Sequence, residues 1–444
     1  MNAESRLIRP SRLQVRTTRI DARGDLTAWV LCFLSLTVLF LNAWTISLGL
    51  GMIGILLFLA PWGWLALRQP NAAIHHILSA WPLLALPMLA LVSTIWSDFP
   101  ASSAKTAIEL LLTTIVGILA GTCIRGRAFL SALLCSLSLI AVLSVVSQPD
   151  FGARLGAMVG VFASKNYFGL CIALLFLTAL IVAADRSQPR AFRRLARVAA
   201  VAAPLLLLYA RSTGAIVDAL ATALLTSALY IAIWFPPRLR IALVGLAGLL
   251  LIMFVVVGSF NLDEFDAVLD YFGKDTTLTG RTFLWERALA SIRENPALGV
   301  GYTAYWNVGN SGAEQVWQYT GQTRGTGFHF HNTYLSVMVD LGATGLLILV
   351  ATFLAISVRI LITIFAFRLG WEQMFAIVTF TFLLLRTPIE VDLFYAFQIP
   401  TILLSVIWIY LQQSSSARIG THGRQLARSR FFTKSRSADS RIRL

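Results

Sequence analysis

Long apolar segments recur along most of this chain, and they constrain its fold more than any other feature. A transmembrane helix needs about 20 mostly apolar residues to cross a bilayer. Twelve segments come near that length: 26–44, 46–67, 76–96, 106–124, 128–147, 167–184, 196–210, 214–235, 240–258, 333–358, 371–386 and 394–411. With 57% hydrophobic and only 13% charged residues, the chain is predicted to be an all-α polytopic membrane protein with about 12 transmembrane helices.

The distribution of basic residues predicts an orientation. If the N-terminus is cytoplasmic, the cytoplasmic segments hold 26 of the 36 Lys and Arg residues. This bias follows the positive-inside rule and predicts that both termini lie inside. We expect the basic tails to contact anionic membrane lipids, and the net charge of +15 is therefore not interpreted as a sign of nucleic-acid binding.

The same pattern divides the chain into five regions. They are a basic N-terminus at 1–25, spans one to nine at 26–258, a long outer loop at 259–332, spans ten to twelve at 333–411 and a basic tail at 412–444. Within the loop, Trp285, Ala288, Leu289 and Ile292 follow a helical spacing that ends at Pro296. An amphipathic helix is therefore expected from 282 to 295, either along the membrane or as a lid over the mouth of the bundle.

A polar stretch that contains His331 runs directly into the tenth span. If the helix begins near Asn332, Gly342 and Gly345 lie on about the same face as His331, and two glycines there let another helix approach closely. An imidazole at this boundary can act as a general base for a hydroxyl group, since it titrates near neutral pH. It can equally cap a loop at the membrane surface, and the local residues leave both interpretations open.

Two arginines are predicted to bind an anion. Arg211 separates the seventh and eighth spans with almost no loop, so its guanidinium lies close to the hydrocarbon boundary. The free-energy cost of a charge at that depth falls if the side chain extends toward water or pairs with an anion. Arg281 precedes the predicted lid helix, so its charge and the helix N-terminus can converge on one anion.

Other polar residues have two interpretations each. Lys165 and Asn166, above the sixth span, can hold a phosphate or sugar, or serve as interfacial anchors. Tyr302 can stack on a sugar ring or belong to an aromatic belt. Arg386 can line an acceptor groove or pair with the carboxylates that follow it.

Together these motifs resemble the O-antigen ligase and polymerase superfamily, particularly its exopolysaccharide-polymerase branch. The resemblance extends over nearly the whole chain and rests on the order of several motifs. They are Ser-Lys-Asn-Tyr-Phe-Gly at 164–169, Arg-Ser-Thr-Gly at 211–214, Thr-Gly-Arg-Thr at 279–282, Leu-Trp-Glu at 284–286, Pro296 with Gly-Val-Gly-Tyr at 299–302, and His331-Asn332 followed by Gly342 and Gly345.

The resemblance implies a GT-C-type, metal-independent glycosyltransferase of the bacterial inner membrane, with its active site and long loop on the periplasmic side. It implies that Arg211 and Arg281 bind the diphosphate of a polyprenyl-diphosphate-linked glycan and that His331 activates the acceptor hydroxyl. Lys165, Asn166, His329, Asn332, Tyr302 and Arg386 are candidate substrate contacts. No metal and no cofactor are expected, because two arginines can neutralise the leaving diphosphate.

The acceptor is the open question. A polymerase transfers the chain to another lipid-linked glycan, whereas a ligase transfers it to lipid A core or to protein, and the visible motifs are shared by both. A polymerase is the favoured reading, with a flippase and a chain-length regulator as possible partners. The competing class is a lipid-linked glycan exporter, in which Glu109, Asp218 and Asp340 would carry protons, although the two halves of the chain show no internal repeat.

Overall fold

The computed structural model describes residues 22–147 except 43–45 and 47, residues 157–249 except 163, 233, 237, 244 and 247–248, and residues 281–412 except 326–327 and 365–368. These parts are helical and contain no strand. The helices are α1 Ala22–Phe40, α2 Gly51–Arg68, α3 Pro70–Ser79, α4 Trp81–Val92, α5 Pro100–Cys123, α6 Gly126–Ser147, α7 Lys165–Ala184, α8 Arg190–Ala210, α9 Thr213–Ala232, α10 Arg281–Glu294, α11 Ser311–Thr320, α12 Thr333–Ile364, α13 Trp371–Arg386 and α14 Ile399–Gln412.

The prediction of a polytopic all-α membrane protein is confirmed. Within the described residues, six helices are long and apolar enough to cross a membrane. A seventh span results if α3 and α4, which meet at 83°, are counted as one. The number twelve stays a prediction, as do the region boundaries. Residues 1–21, 413–444 and 250–280, the last with the second half of the ninth predicted span, lie outside the described residues.

Helix α7 is the centre of the bundle. Its apolar window is 72% buried, against 17% for α2, and it packs against α6, α8, α9 and α13. Peripheral helices instead expose large apolar side chains, such as Leu57, Leu205 and Leu354. In a membrane, lipid would cover these exposed apolar faces. The residues that begin α7, Lys165 and Asn166, are therefore fixed by the most rigid part of the fold.

The glycines that allow two helices to approach closely are Gly117 and Gly121 of α5. A Cβ at Gly117 would lie 2.6 Å from Cβ of Ser405, and one at Gly121 would lie 2.9 Å from Cβ of Ile409, both on α14. This spacing of small residues is typical of membrane helix pairs. The sequence had assigned that role to Gly342 and Gly345.

Helix α12 is instead interrupted at Gly342, where a loop packs against the helix. Its φ of 62° and ψ of −162° are non-helical, and a Cβ there would collide with the backbone at Ala297. Carbonyls 339 and 340 would ordinarily pair with the N–H groups of residues 343 and 344 in a continuous helix. Here the N–H groups of residues 300 and 301 bond to those carbonyls, and residues 343 and 344 donate to the carbonyls of residues 296 and 297. The segment 296–301 is thus spliced into the helix backbone.

The nearest atoms to a Cβ at Gly345 would be those of Leu341 and Val337 in its own helix, so its role in helix packing stays a prediction. The physical reason for the correction at Gly342 is the break itself. A helix with a loop inserted at residue 342 presents that loop, and not a continuous glycine face, to its neighbours.

The predicted lid helix is present as α10. It begins at Arg281 and ends at Glu294, close to the expected 282–295. Leu284 and Ala288 are its buried residues, while Leu289, assigned to the apolar face, is 43% exposed. Helix α10 packs on α12 and α11, and the indole N–H of Trp285 donates to the Phe330 carbonyl at 3.0 Å. This hydrogen bond holds α10 directly beside His331.

Candidate functional site

The carboxylate of Glu390 joins residues from three distant motifs. Its Oε1 accepts hydrogen bonds from Nη2 of Arg281 at 3.0 Å and from Nδ2 of Asn166 at 2.8 Å. Its Oε2 lies 3.1 Å from Nδ1 of His331. The structure therefore brings Asn166, Arg281 and His331, all predicted from the sequence, around one side chain that is 9% exposed.

Glu390 is ionised at neutral pH. Burial opposes ionisation, but the hydrogen bond and the positive charge of His331, with Arg386 and His329 nearby, lower its pKa to about 2. A carboxylate is an acceptor only. Nδ1 of His331 must then donate the hydrogen bond to Glu390, so Nε2 is the nitrogen that can act as a base when the ring is neutral.

The backbone holds His331 in an unusual conformation. Its φ is +50°, in the left-handed region that non-glycine residues seldom occupy. The next residues fix it: the backbone N–H of Thr333 donates to the Thr387 carbonyl at 2.9 Å, and its hydroxyl donates to the Glu390 carbonyl at 2.7 Å. Strain of this kind often occurs where a fold imposes the position of a functional side chain. His331 is 20% exposed, so a substrate can reach it.

His329 supports His331 from the other side. Its Nδ1 accepts the backbone N–H of His331 at 3.2 Å, and the two rings lie 4.1 Å apart. Burial, together with the neighbouring His331, lowers the pKa of His329 to about 3. His329 is therefore neutral at physiological pH and orients its neighbour without adding charge.

Lys165 and Arg211 lie beside this cluster. The amide of Asn166 links the two regions, because its Oδ1 accepts the hydroxyl of Ser212 at 3.2 Å while its Nδ2 contacts Glu390. Arg211 closes α8 in a left-handed conformation with φ of 46° and is exposed. Lys165 is close enough for its charge to interact with that of Arg211. The predicted cations thus gather at one end of the bundle.

Asn332 is the N-cap of α12. Its Oδ1 accepts the N–H of Leu335 at 3.0 Å, and its Nδ2 donates to the Pro388 carbonyl at 3.1 Å. Both halves of the amide are occupied in this state. Its observed role is to hold the start of α12 against the turn that carries Glu390.

Two of the candidate substrate contacts are buried. Tyr302 is fully buried, and its hydroxyl donates to the Phe394 carbonyl at 2.6 Å, so in this structure it fills the core beneath the loop splice.

Arg386 is 2% exposed and pairs with Asp392 and Asp218. Of the two interpretations offered for Arg386, pairing with carboxylates is the one observed. Its backbone carbonyl also accepts the N–H groups of Ile389 and Glu390, so Arg386 shapes the turn that carries Glu390.

Within the described part of the chain, His329, His331 and Glu390 have side chains of metal-binding types whose ligand atoms lie within 4.8 Å of one another. Oε1 of Glu390 is already used by Arg281 and Asn166, its Oε2 by His331, and Nδ1 of His329 by the backbone N–H of His331. A divalent cation would have to displace these donors and would face the Arg281 guanidinium. The geometry favours an ion-pair network at this position.

Glu390 is a candidate functional residue that sequence reasoning did not single out. The turn that contains it was given two interpretations, an acceptor groove or pairing between Arg386 and the carboxylates that follow it. The available signal was a carboxylate in a polar turn on the same side as Arg211, Arg281 and His331. Its partners Asn166 and Arg281 are 224 and 109 residues away in the chain, so no local pattern connects them.

Comparisons with known proteins agree with the motifs. A family model described as O-antigen ligase matches residues 198–350, which include Arg211, Arg281 and His331. The exopolysaccharide production protein ExoQ of Rhizobium meliloti (strain 1021) is 29% identical over 313 residues, which cover 67% of this chain and 69% of that protein. This multi-pass membrane protein is therefore similar to the O-antigen ligase family over residues 198–350 and to a protein of exopolysaccharide production over two thirds of its length.

Proposed function

We propose that the protein is an inverting, metal-independent glycosyltransferase that moves a glycan from a polyprenyl-diphosphate donor to a sugar hydroxyl, and that it polymerises exopolysaccharide repeat units. The observation that carries the proposal is the contact between Glu390 and both Arg281 and His331. It unites an anion-binding side chain and a potential base within one small cluster.

The local charge fits a diphosphate. Lys165, Arg211 and Arg281 are three cations at this end of the bundle, and Glu390 is the carboxylate that contacts Arg281. Arg386 lies deeper and is already paired with Asp392 and Asp218. A glycosyl diphosphate with a lipid ester at the other end carries about two negative charges near pH 7. Guanidinium groups suit phosphate oxygens because of their planar fork. A cationic site of this kind stabilises the departing diphosphate without a metal ion.

The proposed reaction is one displacement. Nε2 of His331 accepts the proton of the acceptor hydroxyl while the acceptor oxygen bonds to the anomeric carbon of the donor sugar. The bond between that carbon and the phosphate oxygen breaks, and its electron pair leaves with the polyprenyl diphosphate. Lys165, Arg211 and Arg281 hold this leaving group. Attack opposite the leaving group inverts the anomeric centre.

The name of the rhizobial relative supports exopolysaccharide production as the setting, whereas the family description names O-antigen ligation. A polymerase with a lipid-linked acceptor is our first choice, and a ligase that uses lipid A core or protein is the second. We place the site on the periplasmic face of the inner membrane, with both termini inside. A flippase and a chain-length regulator are the corresponding partners.

A transfer assay tests the proposal. The protein in lipid discs is given a polyprenyl-diphosphate oligosaccharide from its host, with and without EDTA, beside the His331→Ala and Arg211→Ala variants. Arg324→Ala is the matched control, since this arginine is exposed and pairs with Glu314 away from the site. We expect a ladder of longer lipid-linked glycans from the wild type and the control, at least a hundredfold less from His331→Ala, and no effect of EDTA.

The alternatives give different products. Transfer only after lipid A core or an acceptor protein is added identifies a ligase. Movement of the donor across the membrane, without transfer by any variant and with sensitivity to an ionophore, would establish the exporter and end the transferase proposal.

A further inference from the structure

The carboxylate of Glu390 is shared between two groups with opposite tasks. Oε1 holds the Arg281 guanidinium, which the proposed function assigns to the donor diphosphate, and Oε2 holds His331, which it assigns to the acceptor. A negative charge beside an imidazole stabilises its protonated form, and a cation on the same carboxylate weakens that effect. Arg281 and His331 therefore compete for one charge.

We propose that Glu390 is a positioning residue that couples donor binding to the base: a diphosphate draws Arg281 away from Glu390, and the freed carboxylate makes His331 a stronger base. This inference rests on the proposed function and adds a regulation of the same site. The acceptor hydroxyl is then deprotonated efficiently only when the donor is in place.

The two partners of Glu390 differ in how firmly they are held. Arg281 is the first residue of α10, and its side chain is 15% exposed. Its protein partners are Glu390 and the Ile389 carbonyl at 2.8 Å. A diphosphate at the N-terminus of α10 offers the guanidinium several charged oxygens in place of these. A modest side-chain rotation is enough for the exchange.

Glu390 itself has further contacts that keep it in place after Arg281 moves. Its Oε1 keeps the amide of Asn166, its backbone carbonyl accepts the Thr333 hydroxyl, and its N–H donates to the Arg386 carbonyl at 2.8 Å. The carboxylate therefore stays directed at His331. The exchange changes the charge that the imidazole experiences and leaves its position unchanged.

Other charged or titratable groups surround the pair. They are His329, Arg386, Asp392, Asp218, Lys165 and Arg211. Arg386 is paired with Asp392 and Asp218 in the core, and His329 is neutral because burial lowers its pKa. Lys165 and Arg211 would be neutralised by the same diphosphate. The direction of the change is therefore toward a more basic His331.

The test is a pH titration of His331 by NMR, in protein that carries isotope-labelled histidine in lipid discs. The resonance is assigned by its loss in His331→Gln. The probes are undecaprenyl diphosphate and, as an uncharged control, undecaprenol. We expect undecaprenyl diphosphate to raise the midpoint of the titration by about one pH unit, a tenfold gain in proton affinity, and undecaprenol to leave it unchanged.

Two variants separate coupling through Glu390 from a direct effect of the phosphates. Arg281→Gln should show the raised midpoint before any lipid is added and should show little further rise. Glu390→Gln should show no comparable rise with the diphosphate. If Glu390→Gln responds as the wild type does, the phosphates act directly on His331 and the inference is wrong. If Glu390→Gln does not fold, Arg281→Gln alone decides, because a lipid-free midpoint equal to that of the wild type also overturns it.

The transfer assay on the same samples distinguishes the two levels of the proposal. Wild-type protein that transfers glycan while its midpoint ignores a saturating amount of undecaprenyl diphosphate refutes the coupling and leaves the transferase intact. Protein that shows the shift but transfers nothing to any acceptor refutes the proposed function, and with it the purpose of the coupling.

Discussion

The backbone is irregular at two nearby places, Gly342 within α12 and His331 just before it. Different kinds of contact hold these two places. At Gly342 the segment 296–301 is joined to the helix by backbone hydrogen bonds, with no charged side chain needed for the join. At His331, eleven residues earlier, the irregular backbone is held by side chains, among which Glu390 contacts three partners. Gly342 and Gly299 are buried at the first place, whereas the second leaves the side chain of His331 partly exposed.

This difference between backbone pairing and side-chain contacts separates the part that stabilises the fold from the part proposed to act in transfer. The break at Gly342 leaves helical N–H and C=O groups without their usual partners, and the backbone of 296–301 pairs with them, so the splice is a requirement of the fold. Charged side chains in a partly exposed cluster carry a desolvation cost. We therefore expect changes at the splice to destabilise the protein, and changes around Glu390 to reduce transfer more than stability.

The largest expected effect is from Gly342→Ala. The φ and ψ of this residue are accessible essentially to glycine alone, and a Cβ would collide with the backbone at Ala297. We expect a loss of about 3–6 kcal/mol in the free energy of unfolding. Thermal unfolding in detergent measures it. Gly63→Ala is the control, since Gly63 is helical with no atom within 4 Å of the added methyl group; equal melting of the two variants would contradict a rigid splice.

Next is Asn166→Ala, which removes the amide between Ser212 and Glu390. We expect transfer to fall about tenfold, roughly 1.4 kcal/mol in activation free energy, with a stability loss of about 1 kcal/mol. Asn310→Ala is the matched control, because it also loses one amide hydrogen bond, to the N–H of Ala313 at the start of α11. It should cost similar stability and no transfer. Equal transfer by both variants would refute the functional role of Asn166.

A smaller effect is expected from acid on His329. The pKa of His329 is lower in the folded protein than its ordinary value of 6.5, so the unfolded chain takes up a proton first as the pH falls. The contribution of neutral His329 to stability is therefore complete above pH 6.5 and is lost as the pH falls toward about 3. By pH 5 the free energy of unfolding has decreased by on the order of 1–2 kcal/mol. Glu390, with a pKa of about 2, loses its contribution only below about pH 4.5, so the two windows are distinct.

His329→Asn checks this assignment, because the Asn amide oxygen can accept the same backbone N–H without titrating. Its thermal unfolding midpoint should change less than that of the wild type between pH 7 and pH 5. A wild-type midpoint that is constant over this interval would show that His329 is not the group that titrates.

The smallest effect is expected from Glu314→Gln. Glu314 of α11 pairs with Arg324 at 2.7 Å on the exposed surface, and exposed ion pairs contribute little because water screens them. Neither stability nor transfer should change measurably. A clear loss of transfer would extend the functional surface from the Glu390 cluster to α11.

Elements governed by local periodicity were predictable. The lid helix begins within one residue of its expected start, and α12 begins at Thr333 after a predicted boundary at Asn332. The candidate residues Arg211, Arg281 and His331 were found because their side chains stand out against apolar surroundings. The assignment of Gly342 to a helix-packing face was wrong, since a helical wheel assumes an unbroken helix and cannot predict the loop contact at Gly342.

The sequence by itself determined which segments are apolar helices and which polar side chains lie at their ends, because these follow from composition over windows of about 20 residues. The tertiary structure alone decided that Glu390 connects Asn166, Arg281 and His331, and that residues 296–301 complete the backbone of α12. Both depend on contacts between segments far apart in the chain. Packing of the whole bundle fixes such contacts, and no local pattern encodes them.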